Sequence, residues 1–304
     1  TAPASAPYPA SPVIKQMVSA GMLGRKSGRG FYTYEQPGSP QVVADAQTPV
    51  GGPPVGVELL GITAPPQCTP KDFARAVHYE AEEGDVFVVT QMKCGTTWMQ
   101  QMVGQMLFGP YPELPVAQMS PWLDLRVPPK AVKLAEAEAQ AHRRFLKTHL
   151  PVDALVFSPQ ARYVYIGRDG RDVVWSMYNH HAGANAAWYT ALNDTPGRVG
   201  PPIGLPAPDV RRYFHEWMAR DGHPFWPFWE NVRSWWALRH LPNVLMVHFA
   251  DLKRDMPAQM RRIARFLAIE VDAADWPAIE EYCSFAWMKA NAVRSTPLGG
   301  AFWD

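Results

Sequence analysis

An α/β domain built on a central parallel sheet, with helices on both faces, is the fold class this sequence predicts, and three observations predict it. Four short apolar runs sit at residues 84–92, 143–151, 161–168 and 243–252, and three of them pass directly into segments with helical spacing. Strands that alternate with helices pair in parallel beneath covering helices. Lys93, His149, Arg168 and Phe249 fall at or near the carboxyl ends of those runs, and ligands bind beyond that end of such sheets. Finally, the chain takes on a globular texture only from residue 67 onward.

Residues 1–66 are dominated by Pro, Gly, Ala, Ser and Thr, and "QTPVGGPPVG" has neither a helical nor a strand period. This N-terminal extension reads as linker or extended coat. One island interrupts it, "SPVIKQMVSAGMLGRKSGRGFYTY" at 11–34, where Val13, Ile14, Met17, Val18 and Met22 follow a helical period that Gly21 or Gly24 stops. Its "GRKSGRG" is glycine-rich and basic, but no strand precedes it, so it reads as a surface turn. The island resembles the C-terminal tail of 3-hydroxyacyl-CoA dehydrogenases, which often ends "LGRK-G-GFY-Y". No dehydrogenase nucleotide domain accompanies it, so the resemblance implies a fusion remnant or docking arm rather than that activity.

Within the globular part, "GDVFVVTQM" (84–92) reads as a strand buried on both faces. Gly95 permits a turn, and "TTWMQQMVGQMLFG" continues with Trp98, Met99, Met102 and Met106 at helical spacing. "RRFLKTHLP" is a brief strand stopped by Pro151; Lys147 and His149, two apart, point to one face of it. "ARYVYIGR" is a third strand, followed by a helix through "RDVVWSMYNHH" that carries Ser176 about two turns in. "NVLMVHFADL" is a fourth, followed by the helix "MPAQMRRIARFLAI". Residues 193–208 read as a long ordered loop or lid, and Trp226, Trp229, Trp235 and Trp236 as members of one helix.

A chain of 304 residues suffices for one large domain or two small ones. A net charge of +1 points to neither nucleic acid nor an acidic membrane. Three separated cysteines, Cys68, Cys94 and Cys283, argue for a reducing compartment and against a disulfide framework or a cysteine-rich zinc site. No stretch approaches the roughly 18 apolar residues of a membrane span, and "TAPASAPYPASP" lacks the order of a secretory signal. A soluble cytoplasmic protein is the expectation. Twelve tryptophans suggest apolar pockets as well as core.

The stretch "TQMKCGTTWM" (90–99) places the backbone N–H groups of Gly95, Thr96 and Thr97 at a helix N-terminus, where they lack intrahelical partners and the dipole is positive. With the charge of Lys93 and the threonine hydroxyls, that is an anion cradle. It is not the GxxxxGK[ST] loop of nucleoside triphosphatases, because its lysine precedes the glycine. Alone, the segment reads equally well as a solvated lysine beside a threonine cap, His149 as a satisfied core histidine, and Arg168 as a solvated rim.

Together, however, five segments in order resemble the cytosolic-type sulfotransferases: "KCGTTW" (93–98), "KTHLP" (147–151), the Arg168, Asp172, Val173, Ser176, Tyr178 set, "VHFADLK" (247–253) and "SFAWMKAN" (284–291). The resemblance implies a phosphate-binding loop after the first core strand and transfer of a sulfuryl group from 3′-phosphoadenosine 5′-phosphosulfate to a hydroxyl or amine of a small acceptor, without a metal. It implies His149 as general base, with Lys93 and Lys147 assisting. It implies nucleotide binding by Lys93, Cys94, Gly95, Thr96, Thr97, Trp98, Arg168, Ser176, Phe249, Ser284, Phe285 and Met288. Two departures stand out. Met92 and Cys94 replace the family's proline and serine, and the family's "R-x-G-x-x-G-x-W" clamp over the 3′-phosphate is not found in the sulfotransferase domain read at 67–304. The aromatic segments around 181–194 and 215–236 suggest an aryl or lipophilic alcohol as acceptor; the oligomeric state is open. Two other readings compete: a non-catalytic nucleotide-binding scaffold, and a nucleotide kinase with Asp251 as a magnesium ligand.

Overall fold

The computed structural model describes residues 83–304 except 126, 156, 197–200, 296–299 and 304, together with four short strands upstream. The chain divides into two units, Thr1–Val57 with Pro65–Gln67, and Glu58–Ala64 with Cys68–Asp304. Upstream, β1 (Tyr32–Thr33) pairs antiparallel with β2 (Gln41–Val42), and β3 (Val57–Leu59) pairs with β4 (Ile62–Ala64). The helix expected over 13–22 lies outside the described residues.

The site-bearing unit is organised by β5 (Val86–Thr90), β6 (Phe145–Thr148), β7 (Arg162–Gly167) and β8 (Val244–His248). Their order is β6-β5-β7-β8 and every neighbouring pair is parallel. Alternate residues of each strand face opposite sides. Val86, Val88, Phe145, Val164 and Ile166 pack with the helices Thr96–Phe108 and Met256–Leu267. Phe87, Val89, Leu146, Tyr163 and Tyr165 pack on the other face, against Trp235 of the helix Phe228–Ala237. Each such fully buried apolar side chain stabilises the fold by about 1.5–3 kcal/mol, which explains why these strands read as continuous apolar runs.

Local chemistry sets the element ends in three places where the sequence suggested otherwise. The run 243–252 stops being a strand at His248, whose Nδ1 accepts the Ala250 amide at 3.2 Å, so Phe249 opens a helix, Phe249–Arg254. β6 stops at Thr148, so His149 lies one residue past the strand, its amide turned to the Asp124 carboxylate at 3.1 and 3.3 Å. Trp226 precedes its expected helix, because Pro227 stands at the N-cap; Trp229, Trp235 and Trp236 lie within it. In the expected lid, the helix Ala186–Asp194 reaches into its start, and Asn193 exchanges two hydrogen bonds with the Ile203 main chain. Among the described residues no helix is long and apolar enough to cross a membrane.

Candidate active site

The carboxyl end of β5 turns into the helix Thr96–Phe108 through Lys93, at φ 65°, and Gly95, at φ 108°. Gly95 is required twice over. L side chains rarely take that backbone conformation, and a Cβ there would meet the Phe249 ring at 3.0 Å. No side chain caps the helix start, which leaves its first amides and the positive dipole end free for an anion. Met92 and Cys94 point down into a cluster with Val173, Met177 and Trp217. The methionine thus anchors the turn from below. Burial pushes the Cys94 thiol up to about 12, so it remains an inert thiol.

His149 is only 2% exposed, yet it lines the cleft. Its Nδ1 lies 2.7 Å from the Thr90 carbonyl oxygen, which can only accept, so Nδ1 carries the proton and donates. Nε2 therefore keeps its lone pair. The Thr90 hydroxyl joins this arrangement to the loop, 3.0 Å from His149 Nδ1 and 2.5 Å from the Thr96 hydroxyl. Burial, and then the charge of Lys147, hold the imidazole well below the ordinary histidine range. It is neutral at physiological pH.

Three cations line the cleft with it. Lys147 is buried with its Nζ 4.0 Å from the centre of the Trp122 ring, and His149 meets the same ring edge-on at 4.8 Å, so the two residues do share one face. Burial lowers Lys147 to about 8. Burial also lowers Lys93, whose Nζ is 3.5 Å from His180 Nδ1. Arg168 donates to the Lys93 carbonyl at 2.9 Å and lies 4.3 Å from the Phe249 ring centre. Its Nε is buried without a hydrogen-bond partner, 3.6 Å from the Asp172 carboxylate.

One cavity of about 2200 Å³ gathers Lys93, Gly95, Thr96, Thr97 and Trp98 from the loop with Lys147, His149, Arg168 and Ser176 from three other segments. Cys94 lies beneath it. Phe249 is not among its lining residues, but its ring lies 5.6 Å from that of Trp98, which is. Ser284, Phe285 and Met288 are not among its lining residues. Ser284 caps the helix Phe285–Ala290, and Phe285 is 76% exposed. That helix is tied to the loop through Trp98, which donates to the Cys283 carbonyl at 2.7 Å.

Five neighbours escape a reading of the sequence: Thr90, Trp122, Asp124, Lys133 and His180. Thr90 acts partly through its carbonyl, which has no sequence signature. Trp122 and Asp124 stand on a segment that pairs with the edge of β6, Leu123 donating to the Lys147 carbonyl at 3.0 Å and Lys147 to the Pro121 carbonyl at 2.9 Å. Lys133 donates to the Trp122 and Leu123 carbonyls at 3.0 and 3.1 Å. His180, one helical turn beyond Ser176, was legible in principle by its i+4 spacing. Burial and the nearby Lys93 bring it down to about 3.

Comparison with known proteins places this cleft in a family. Residues 83–299 match the Sulfotransferase domain. A glycolipid sulfotransferase of Mycobacterium bovis is 30% identical over 240 residues, covering 72% of this chain and 73% of that protein. Sulfotransferase 1A1 of Rattus norvegicus is 27% identical over 237 residues, covering 74% and 75%. Among solved structures, a mouse sulfotransferase complexed with PAP superimposes with a TM-score of 0.55 at 22% identity, over 77% of each chain. Retinol dehydratase, solved with androsterone and the inactive cofactor PAP, gives 0.55 at 23% identity, over 73% of this chain and 70% of that one.

Proposed function

The chain belongs to the sulfotransferase family, and on that premise we propose that its cleft binds 3′-phosphoadenosine 5′-phosphosulfate beside a lipophilic alcohol or phenol, with His149 as the general base. When bound, this co-substrate supplies a sulfuryl group attached to a phosphate leaving group. The residues fit it. An N-terminal row of amides, Lys93 and Ser176 offer donors, and the buried Nε of Arg168 lacks a hydrogen-bond partner.

The observation that carries the reading is the tautomer of His149. Its Nδ1–H is committed to the Thr90 carbonyl, leaving Nε2 as the acceptor for an acceptor hydroxyl's proton. Such a base contributes about 10²–10⁴-fold. Burial and the cations keep it neutral, the form that can accept. Lys93, at the turn, is placed to stabilise charge that grows on the leaving oxygen, where an oriented donor acts most strongly in the transition state. Amides 95–97 hold the 5′-phosphate end. Arg168 and Ser176 hold the 3′-phosphate, for which a guanidinium fork suits two oxygens at once. Trp98 and Phe249 flank the adenine, with Phe285 and Met288 on the neighbouring helix that Ser284 caps.

The acceptor end of the cavity is walled by Trp122, Trp188, Phe225, Trp226, Phe302 and Trp303. Flat apolar walls suit an aryl or long-chain alcohol, and the glycolipid named for the mycobacterial relative has hydroxyls on a lipophilic body. A non-catalytic scaffold would have no use for a histidine held in one tautomer beside a lysine.

The test is release of adenosine 3′,5′-diphosphate from the phosphosulfate donor with a panel of phenols, alcohols and amines, without added metal. Turnover is expected with the apolar hydroxyl compounds. His149→Ala should lose about 10²–10⁴-fold in kcat while still binding adenosine 3′,5′-diphosphate by calorimetry. An alanine variant with most of its activity would remove the assignment of the base. Dependence on ATP and magnesium would indicate a kinase, and nucleotide binding without turnover a scaffold.

A further inference from the structure

We infer that Asp124 is a positioning residue for sulfuryl transfer: its carboxylate holds the main chain of His149 and keeps Lys147 charged beneath the cleft. The inference rests on the roles proposed above for His149 and Lys147. It adds a residue to which neither the family resemblance nor the comparisons assign a part.

The geometry comes first. His149 has left the β6 ladder, so its amide needs another acceptor, and both Asp124 oxygens supply one, at 3.1 and 3.3 Å. The His149 carbonyl accepts from Asn231 Nδ2 at 2.8 Å. The main chain of the base is therefore gripped from both sides by buried polar side chains. Asp124 arrives at that point because Leu123 and Lys147 are paired across the edge of β6. The same short segment brings the Trp122 ring under both Lys147 and His149. One segment thus sets the height of the lysine, the tilt of the imidazole and the path of the chain between them.

Charge makes the second part of the case. The groups that face Lys147 are Asp124 from this segment, Lys93 from the loop after β5, His149 from its own strand end and His180 from the helix Gly170–Ala182. Among these Asp124 is the anion. Lys133, also buried, is held by two carbonyls and feels the same charge. Burial raises the pKa of the Asp124 carboxyl, while the Trp122 side chain, the His149 amide and the Thr148 side chain favour its ionised form. A lysine near 8 is poised, because it stays mostly charged at neutral pH only while its counter-ion remains. A buried cation without its partner gives up its proton. Lys147 would then no longer repel a proton from His149, and the cleft would lose one of its cations.

Asp124→Asn separates these effects, because the amide is isosteric and keeps one oxygen for the His149 N–H. The measurement is kcat and KM against pH from about 6 to 9, with adenosine 3′,5′-diphosphate affinity by calorimetry. An alkaline limb of kcat is expected near pH 8 in the parent enzyme, where Lys147 loses its proton, and in the variant it should move to lower pH by about one unit or more. Near pH 7.5, kcat should fall about tenfold or more, with nucleotide affinity changed less than about threefold. A variant whose kcat falls without any movement of the limb, or does not fall, overturns the inference. Should Asp124→Asn fail to fold, Lys147→Met decides: loss of the limb near pH 8 supports the inference, and an unchanged limb overturns it. An active His149→Ala would instead bring down the underlying site reading, whatever the limb does.

Discussion

At the amino end of the sheet Arg144 grips both oxygens of Asp85, at 2.9 and 3.1 Å, whereas at the carboxyl end Lys93, Lys147 and Arg168 crowd around a neutral histidine. Both ends bury charged groups. At the amino end the two fully buried charges are matched, and the half-buried arginines find carbonyls: Arg143 bonds those of Gly84 and Leu267, and Arg162 that of Phe266. At the carboxyl end cations exceed anions, burial lowers Lys93, Lys147 and His149, and the Arg168 Nε has no hydrogen-bond partner. Burial alone therefore does not mark a functional site. A surplus of one sign, held against desolvation by the surrounding fold, does so far better.

Substitutions at the two ends should part along this line. The largest effect on folding belongs to the matched end. Arg144→Met removes the bidentate partner of a buried carboxylate and should reduce stability by about 3–5 kcal/mol. In a denaturant titration the midpoint should fall, while kcat per folded molecule stays within about twofold. Lys93→Met should do the reverse. It should cost about 3–4 kcal/mol of transition-state stabilisation, or about 10²–10³ in kcat, with stability unchanged or slightly raised because a crowded buried cation is gone. A clear loss of stability without loss of rate would make Lys93 a structural residue and erase the contrast.

A smaller effect is expected at Arg168. Arg168→Glu should weaken adenosine 3′,5′-diphosphate relative to adenosine 5′-phosphate by at least about 1.5–3 kcal/mol, the worth of a charged hydrogen bond. Equal weakening of both, by calorimetry, would remove the 3′-phosphate from its role. The smallest expected change is none at all. On the proposed role, the active form of His149 is neutral and is lost only as pH falls through its folded pKa, which lies well below 6.5. So kcat/KM should stay level from about pH 7.5 down to about pH 6. A half-loss near the ordinary histidine value would show an imidazole exposed to water.

Much of this arrangement was legible in the residues. The four strands, their parallel pairing and the loop–helix turn followed from apolar runs, a glycine and the spacing of methionines. Nine candidate residues come together in one cavity. The strand read over 243–252 ends at His248, and Phe249, at that strand's end, opens a helix because its histidine neighbour caps it with a side-chain nitrogen. Trp226 was placed within a helix that begins only after Pro227. Both misplacements concern element ends, where one local hydrogen bond or one proline outweighs a periodic pattern.

What the amino-acid order determined by itself is the sheet, its polarity and the cations at one end of it. Those depend on side-chain periodicity and turn chemistry, which act between near neighbours. Tertiary structure alone decided which nitrogen of His149 carries the proton, and that the Asp124 charge acts on both Lys147 and Lys133. These depend on a carbonyl and a carboxylate brought in from other parts of the chain. In a buried site the ionisation of each group follows from such non-local partners, because little water is present to supply the missing hydrogen bonds or screen the charges.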